Sequence, residues 1–538
     1  MTTLKLYITQ TSDSEYIRYK QQQYAHAYML LYQTLELASD KEFINQFTTR
    51  FDLNSWEYQS LVVNIKMTYE QDQTNIKNKQ KRINQLTDEL SSNNLSKHRK
   101  FKIIKSINHL NKSIKHIRTF GSLKLQQQLT KEHNKSIKDY NKINKLTQQW
   151  KQARNYRPIY IVGEAPQTGN RCFDFSCLTD GVIIYKPNRQ HHITINFKVP
   201  QNKLHILKQL SDVAVAKLQS ITVTLTDKYI CLTYDEESLN GYGFDEKGYN
   251  LEKKKIKSKN LSKETTSQLL KDCKRGFYEE QTTRKLQGKI PNRCFAVDLN
   301  PTNIGYSVLD KTTDGNVKIV ATGMVDLSKL TRKSGKCSNH KHTKYLNNKR
   351  KYEITIVAKE LMKLVKHYKC SSFIMEELDF AVDNNLTRGV NRLTHNVWNR
   401  ELLIQCIQRR CKEQGVDIIE VNACYSSFIG NIQNSYVDST NASIEIGRRG
   451  LYRYTKGSFY PHISSMDIHT LESKFGDVVE YSTTTNWVDI YQVLNDSLDY
   501  KEFALRLRPT LNMVQAPYLT FSLNSYKSGV ILNIFNII

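Results

Sequence analysis

The stretch RCFAVDLNPTNIGYSVLD, residues Arg293–Asp310, decides the fold of this chain. It predicts an apolar strand that ends in Asp298, a tight polar turn, and a second strand that begins near Gly305 and runs through Val308. An acid at the carboxyl end of a buried strand is costly unless it binds a cation or a partner. Asp298 is therefore a candidate site residue.

Two later stretches place acids at comparable positions. In CSSFIMEELDF, residues 370–380, an apolar strand runs directly into Glu376 and Glu377. We favour Glu376 because it is the first acid after the apolar run, and Glu377 and Asp379 remain alternatives. In YVDSTNASIEIGRRGLYRY, residues 436–454, Asp438 stands at the predicted start of a helix. Each stretch alone is a common structural pattern.

The order of the elements makes the three acids informative together. The sequence predicts two strands in Arg293–Asp310, a third strand over Val317–Leu327, a helix over Thr343–Tyr368, the strand with Glu376, a helix over Arg400–Gln414, a strand over Val416–Val421 and the helix led by Asp438. This succession is the ribonuclease H layout, in which the first and fourth strands are neighbours and the last helix brings its acid over their ends. Three carboxylates meeting there can hold two Mg²⁺ ions for phosphodiester hydrolysis. Such hard oxygen ligands favour magnesium over zinc.

The three acidic stretches resemble the RuvC-I, RuvC-II and RuvC-III motifs of the TnpB and type V CRISPR effector superfamily. VNACYSSFIG, residues 421–430, is similar to the Tyr-Ser/Thr-Ser-x-x-Gly stretch of that family. The resemblance implies that Asp298, Glu376 and Asp438 are the catalytic, metal-binding acids. It further implies an RNA-guided DNA endonuclease with Mg²⁺ as cofactor, for which Mn²⁺ can substitute, and with guide RNA and target DNA as partners.

The sequence departs from that family pattern in three places. The family usually has paired CxxC motifs of a zinc ribbon between the second and third motifs, whereas this interval offers only Cys406, Cys411 and Cys424, so zinc is not predicted. The stretch between SSFIG and Asp438 is also very short. The last acid normally stands two residues before an asparagine, whereas Asp438 stands three before Asn441. These features favour a compact type V effector or a divergent TnpB-like protein over an ordinary TnpB.

The charge of the chain indicates a polyanionic partner. The 538 residues include 79 Lys and Arg against 52 Asp and Glu, a formal charge of +27. Between Ile76 and Trp150 there are 18 basic and 4 acidic residues. We predict that this segment contacts nucleic acid, and the candidates are Lys97, Arg99, Lys100 and Lys102; a solvated helical bundle is the alternative.

Other basic and metal-like features have structural alternatives. Arg448 and Arg449, on the helix of the last acid, are candidates for phosphate contacts, or else favour the end of that helix through its dipole. Cys337, His340 and His342 have no second ligand pair, so a polar loop is the preferred interpretation. Trp398 and Arg400 stand where a helix begins beside the predicted catalytic face, and packing is the preferred role for Trp398.

The predicted fold class is α/β and multidomain, with a RuvC (ribonuclease H-like) core, an N-terminal β-barrel wedge domain and an inserted helical recognition lobe. The predicted domains are a first wedge strand in 1–20, the helical lobe in 21–155, the wedge β-domain in 156–240, a linker and helix in 241–292, the nuclease core in 293–456 and a C-terminal extension packing on the core in 457–538.

No apolar run is long enough to span a membrane and the start has no signal-peptide layout, which favours a cytoplasmic protein that is nucleoid-associated when bound to DNA. The sequence-based hypothesis is an RNA-guided DNA endonuclease. One alternative is a guided DNA-binding protein without cleavage, a repressor or targeting factor. The other is a resolvase or transposase of the ribonuclease H fold that needs no guide. No sequence feature assigns an oligomeric state.

Overall fold

The protein is described here by a computed structural model. The description covers residues 1–91, 96–115, 120–136, 139–188, 190–259, 262–312, 317–327, 330, 340–377, 400–452, 460–478, 486–508 and 518–522; for residues 340, 341, 500 and 518–522 it covers the backbone alone. The chain forms two compact units, Met1–Asp235 and Glu236–Ile538. This division is coarser than the six predicted domains, whose boundaries stay predictions.

The first unit contains seven helices and seven strands among its described residues. The helices are α1 (Ser14–Gln33), α2 (Lys41–Arg50), α3 (Ser55–Ser91), α4 (Lys97–Lys115), α5 (Leu123–His133), α6 (Tyr140–Asn155) and α7 (Leu204–Val215). The strands are β1 (Thr2–Thr11), β2 (Ile159–Ile161), β3 (Phe173–Asp174), β4 (Val182–Tyr185), β5 (Ile193–Phe197), β6 (Thr222–Leu225) and β7 (Tyr229–Tyr234).

The seven strands form one antiparallel sheet in the order β2-β6-β7-β1-β5-β4-β3. The N-terminal strand β1 lies at its centre, because its first half pairs with β7 and its second half, after a register shift between Ile8 and Gln10, pairs with β5. Apolar side chains alternate with more exposed ones along β1 and β7, as expected for a sheet with one buried face. The predicted closure of this sheet into a barrel stays a prediction.

A buried ion pair joins helices α1 and α3 of the first unit. Lys20 of α1 and Glu57 of α3 lie 3.0 Å apart, and both side chains are almost fully buried. Glu57 also accepts a 2.6 Å hydrogen bond from the hydroxyl of Tyr185 on β4. Because buried charges are costly unless they are paired and hydrogen-bonded, this cluster fixes α1 and α3 against the sheet.

The lysine-rich segment is helical, as predicted. Helix α4 carries an apolar stripe of Ile103, Ile107 and Leu110, with Ile103 buried and the other two half-buried. Helix α4 packs against α3 through this stripe.

The second unit contains ten helices and six strands among its described residues. The helices are α8 (Glu236–Leu239), α9 (Glu246–Lys257), α10 (Lys263–Leu286), α11 (His340–His367), α12 (Arg400–Gln414), α13 (Ser426–Gln433), α14 (Asp438–Tyr452), α15 (Ser465–Phe475), α16 (Trp487–Ser497) and α17 (Tyr500–Arg506). The strands are β8 (Ile290–Leu299), β9 (Asn303–Lys311), β10 (Val317–Asp326), β11 (Cys370–Glu377), β12 (Asp417–Asn422) and β13 (Tyr518–Ser522).

The sheet of the second unit has the order β12-β11-β8-β9-β10-β13. Strands β8, β9 and β10 pair antiparallel in sequence, whereas β11 is parallel to β8 and β12 is parallel to β11. The first five strands therefore have the order and directions of the predicted ribonuclease H layout. Strand β13, which the sequence analysis did not predict, adds to the edge of the sheet parallel to β10.

Helices cover this sheet through its apolar residues. Buried side chains of α11 and α12, including Leu361 and Ile407, pack with Phe295 and Phe373 of the sheet in one core. Helix α14 contributes Ile444 and other side chains to a second core, with residues from β8, β9, β11 and β12. The helices thus bury the sheet side chains of both cores.

Aromatic residues join α13 to the helices that follow α14, which belong to the predicted C-terminal extension. Phe428 of α13 meets the ring of Trp487 edge-on at 5.9 Å, and Phe475 and Phe503 complete this core. Trp487 is 1% exposed, and its indole donates a 2.8 Å hydrogen bond to the carbonyl of Pro461. Among the described residues, no helix is both long and apolar enough to span a membrane.

Candidate active site

Asp298 and Glu376 lie side by side on neighbouring parallel strands. The residues that precede them, Val297 of β8 and Met375 of β11, are paired in register. Both acids are 6% exposed. The sheet therefore brings together two carboxylates that are 78 residues apart in the sequence, at the carboxyl ends of their strands.

The third acid enters on the helix that crosses the sheet. Asp438 is the first residue of α14, and its side chain is exposed, unlike those of Asp298 and Glu376. Two residues further along the helix, the hydroxyl of Thr440 donates a 3.1 Å hydrogen bond to the carbonyl of Gly323 on β10. The start of α14 is thereby fixed against the sheet beside the strands that carry the other acids.

Gly305 makes this close approach of helix and sheet possible. It is paired in register with Asp298 across β8 and β9. A Cβ atom at Gly305 would lie 2.0 Å from the carbonyl oxygen of Ser439, the second residue of α14. Only a residue without a side chain fits there, so Gly305 allows Asp438 to stand near Asp298.

The charges of the three acids interact. Burial raises the pKa of Asp298 well above its ordinary value, and the negative charges of Glu376 and Asp438 raise it further. Two neighbours act in the opposite direction: the amide of Asn300, which donates a 2.6 Å hydrogen bond to the carboxylate, and the guanidinium of Arg400. The fold thus disfavours ionisation of Asp298 unless a positive charge compensates it.

Glu376 has a similarly perturbed pKa. Burial raises it from 4.5 to about 7, although the guanidinium of Arg400 and a hydrogen bond from the backbone N–H of Leu299 favour the ionised form. Glu377, one of the two alternatives for this position, points to the other side of the strand and is exposed. Of these two acids only Glu376 is buried like Asp298, and its role as the metal-binding acid stays a prediction; the other alternative, Asp379, lies outside the described residues.

Arg400, the first residue of α12, stands at the acid pair. Its Nη2 donates a 3.0 Å hydrogen bond to the backbone carbonyl of Glu376 and lies 3.8 Å from a carboxylate oxygen of the same residue. Burial lowers the pKa of Arg400, while Glu376, Glu420 and Asp298 raise it. The sequence analysis placed this arginine beside the catalytic face; Trp398, its neighbour in that prediction, lies outside the described residues.

Two asparagines that the sequence analysis did not single out hold the acids in place. Asn300 follows Asp298 by two residues and donates to it, so its proximity in sequence was a usable signal. Asn431 of α13 donates a 2.6 Å hydrogen bond to Asp438 Oδ1. No sequence pattern pointed to Asn431.

The donor set suits a hard divalent cation, although the acids are not drawn together around one point. Among the described residues, no group of three His, Cys, Asp or Glu side chains is arranged to hold a metal ion. Each carboxylate instead has its own donor: Asn300 for Asp298, the Leu299 N–H for Glu376, and Asn431 for Asp438. Carboxylate oxygens are the preferred ligands of Mg²⁺ and Mn²⁺, and a cation would offset the mutual repulsion that raises the pKa of Asp298.

The predicted nucleic-acid contacts fall on two different kinds of surface. On α4, Lys97, Lys100 and Lys102 are exposed, and Arg99 is exposed but forms an ion pair with Glu89, with Nε 2.8 Å from the carboxylate. As contacts to nucleic acid these four residues stay predictions.

Arg448 and Arg449 of α14 both bind Glu445. Arg448 Nε and Arg449 Nε each lie 2.7 Å from a Glu445 carboxylate oxygen, and Arg449, which is 3% exposed, also donates to the carbonyls of Asn422 and Cys424. The Arg449 guanidinium is thus buried among protein acceptors, and a phosphate contact by Arg449 stays a prediction. For Arg448 the phosphate contact stays a prediction.

The cysteines and histidines considered for zinc are dispersed or outside the described residues. Cys406 is half-buried, Cys411 is buried and Cys424 is exposed, each on a different part of α12 or the loop after β12. Cys337 and the side chain of His340 lie outside the described residues. The prediction that zinc is absent stays a prediction.

Comparison with known proteins gives remote structural similarity only. No family model matches the chain, and no curated protein matches it. Among solved structures, "T. thermophilus RuvC in complex with Holliday junction substrate" matches 30% of this chain and 94% of its own at 10% identity and a TM-score of 0.21. "Cryo-EM structure of the Cas12f1-sgRNA-target DNA complex" matches 83% of this chain and 98% of its own at 10% identity and a TM-score of 0.31. TM-scores this low do not by themselves establish a shared fold or function.

Proposed function

We propose that this protein is an RNA-guided DNA endonuclease that hydrolyses phosphodiester bonds with divalent metal ions, Mg²⁺ or Mn²⁺, held by Asp298, Glu376 and Asp438. The single observation that supports it most is the arrangement of these acids on a ribonuclease H-type sheet. Two are buried on adjacent parallel strands, and the third begins the helix that crosses them.

The electrostatics of the acids support a cation-binding role over a structural one. Burial and the negative charge of Glu376 raise the pKa of Asp298, burial raises the pKa of Glu376, and the guanidinium of Arg400 opposes both shifts without cancelling them. Clustered groups with strongly shifted pKa values are typical of functional sites. A purely structural acid pair would be expected to have its counter-charges built in.

The chain's own residues would orient the cation-binding oxygens. Asn300 and the Leu299 N–H fix the two buried carboxylates, and Asn431 fixes the exposed one. Bound divalent cations supply the charge that activates water and stabilises the leaving oxygen in phosphodiester hydrolysis. The exposure of Asp438 leaves one side of the site open to a substrate backbone.

The charge of the protein supports a long polyanionic ligand. A net charge of +27 suits a guide RNA and its heteroduplex with target DNA, of roughly 20 base pairs, which such proteins hold by backbone and shape while base pairing selects the sequence. The exposed lysines of α4 belong to this surface in the proposal.

The test combines copurification with cleavage. The full chain should copurify with a discrete RNA, and this complex should cleave plasmid DNA that carries the complementary sequence when Mg²⁺ is present but not in excess EDTA. Asp298→Asn should abolish cleavage and leave DNA binding intact, because phosphate contacts supply the affinity. The matched control is Asp417→Asn: Asp417 begins β12, away from the acids, and forms an ion pair with Lys285 at 3.2 Å.

The outcomes separate the proposal from its alternatives. Cleavage at the wild-type rate by Asp298→Asn would overturn the active site. Discrete RNA with guided binding but no cleavage by the wild-type protein would indicate a targeting factor. Metal-dependent cleavage of branched DNA by protein freed of RNA would indicate a resolvase.

A further inference from the structure

We propose that Asn431 is the positioning residue for the third acid: its side-chain amide fixes the orientation of the Asp438 carboxylate, and buried Asn441 fixes Asn431 in turn. The inference rests on the proposed function, because it assigns a role within the proposed metal site. It concerns a residue outside the three acidic motifs.

The hydrogen bonds form a directed chain. Asn431 Nδ2 donates to Asp438 Oδ1 at 2.6 Å, and Asn431 Oδ1 accepts from Asn441 Nδ2 at 2.9 Å. Asn441 is in turn locked by the backbone of the loop between α13 and α14, because its amide donates to the carbonyls of Tyr436 and Asn434 and its Oδ1 accepts from the Tyr436 N–H. The orientation of each amide is therefore set by its neighbour.

Burial makes this series of hydrogen bonds rigid. Asn431 is 4% exposed and Asn441 is fully buried. A buried amide that loses a hydrogen-bond partner costs about 1–3 kcal/mol, so neither side chain can turn away without a penalty. Asp438, by contrast, is exposed, and an exposed aspartate without a partner samples several rotamers. Buried Asn431 thus restricts the exposed Asp438 side chain to one orientation.

The packing of α13 against α14 serves the same contact. A Cβ atom at Gly430, next to Asn431, would lie 2.5 Å from the carbonyl oxygen of Asn441. The missing side chain lets the two helices approach closely enough for the side chains of Asn431 and Asp438 to meet. Residues that orient metal ligands typically change metal affinity about 10- to 100-fold when they are replaced.

The test compares Asn431→Ala and Asn431→Leu with Asn434→Ala. Both Asn431 variants remove the donor, and leucine also fills the buried space in case alanine destabilises the helix pair. Asn434 is the matched control, because it lies on the same short segment, its side chain donates to the carbonyl of Gly430, and alanine keeps the backbone carbonyl that binds Asn441. Thermal melting of the metal-free proteins shows whether each variant is folded.

Two measurements are informative together. Mn²⁺ binding to the protein without nucleic acid, followed by electron paramagnetic resonance, should weaken about 10-fold or more in the Asn431 variants and stay unchanged in Asn434→Ala. In cleavage, the Asn431 variants should need a correspondingly higher Mg²⁺ concentration but recover most of the rate at saturation. Asp438→Ala should not recover.

Asp438→Ala also separates the two proposals. If Asp438→Ala weakens Mn²⁺ binding but folded Asn431→Leu does not, the positioning role of Asn431 is wrong and the metal site stands. If Asp438→Ala leaves Mn²⁺ binding unchanged, the third acid is not a metal ligand and the proposed site itself is wrong. A loss of cleavage in Asn431→Leu that no Mg²⁺ concentration restores would also overturn the positioning role.

Discussion

Replacing Glu376 by glutamine should make the metal-free protein more stable, and more so at high pH. Burial raises the pKa of Glu376 from 4.5 to about 7, so between these values the folded state holds a proton that the unfolded state has lost. The folded state therefore loses stability as the pH rises through this range. Between the two pKa values, each pH unit lowers the stability of the folded state by about 1.4 kcal/mol. The loss stops once the pH passes the folded pKa, so between pH 5 and pH 8 it amounts to about 3 kcal/mol.

Glutamine cannot ionise, so Glu376→Gln should lack this pH-dependent cost. Hydrogen exchange of the amides in β8 and β11, measured in EDTA, reports the free energy of opening in the second unit alone. Relative to wild type, the variant should gain about 100-fold protection between pH 5 and pH 8, the equivalent of about 3 kcal/mol. Glu377→Gln is the control, because Glu377 is exposed and its neighbour in sequence.

Comparison at a single pH between variants cancels the intrinsic pH dependence of exchange. Equal protection gains for the Glu376 and Glu377 variants would show that burial does not disfavour the ionised form of Glu376. So would a gain in Glu376→Gln that is the same at pH 5 and pH 8. Adding Mg²⁺ should reduce the advantage of the variant at pH 8, because a bound cation stabilises the ionised wild-type acid.

Three further outcomes are expected. Activity should require Mg²⁺ or Mn²⁺, and elemental analysis should find no stoichiometric zinc after dialysis; one zinc per chain would show that the cysteines were misinterpreted. Changing Lys97, Arg99, Lys100 and Lys102 together to glutamine should weaken the binding of RNA and target, with the melting temperature unchanged. The slope of log binding constant against log salt concentration should flatten by up to about one unit for each phosphate that is no longer bound. Unchanged affinity and slope would mean that this helix face is solvated. Gly305→Ala should abolish cleavage, because the added Cβ would push α14 away from the sheet. Gly276→Ala on the exposed helix α10 is the control and should leave cleavage intact, because a Cβ there meets no atom within 4 Å. Equal activities of the two variants would contradict the role of Gly305.

Much of the second unit could be predicted from the sequence because its elements have strong periodic patterns. The helix predicted over Arg400–Gln414 begins and ends at those residues, and the predicted strands around Asp298 and Glu376 lie side by side and parallel. Apolar strands that end in an acid reveal both the element and its chemistry. The coarse α/β fold and the order of the first five strands are thereby confirmed.

The edges of the fold and the partners of the acids could not be predicted in this way. Strand β13 comes from the far end of the chain, and its parallel pairing with β10 depends on tertiary contact that no local pattern encodes. Arg449 has the sequence appearance of an exposed phosphate contact, yet its guanidinium is buried against Glu445. Local sequence reports which residue types are present but not which charged groups find each other inside the fold.

The unusual spacing of the third motif illustrates the difference. From sequence, Asp438 stands one residue too far from Asn441, which suggests an acid displaced from the site. In the structure Asn441 hydrogen-bonds to Asn431 and to the loop before α14, and Asn431 in turn donates to Asp438. What brings Asp438 to the other acids is the absence of a side chain at Gly305, opposite Asp298, together with the contact of Thr440 with β10. If Asp438 is a metal ligand, as proposed, the extra residue between it and Asn441 is accommodated by Asn431, which hydrogen-bonds to both.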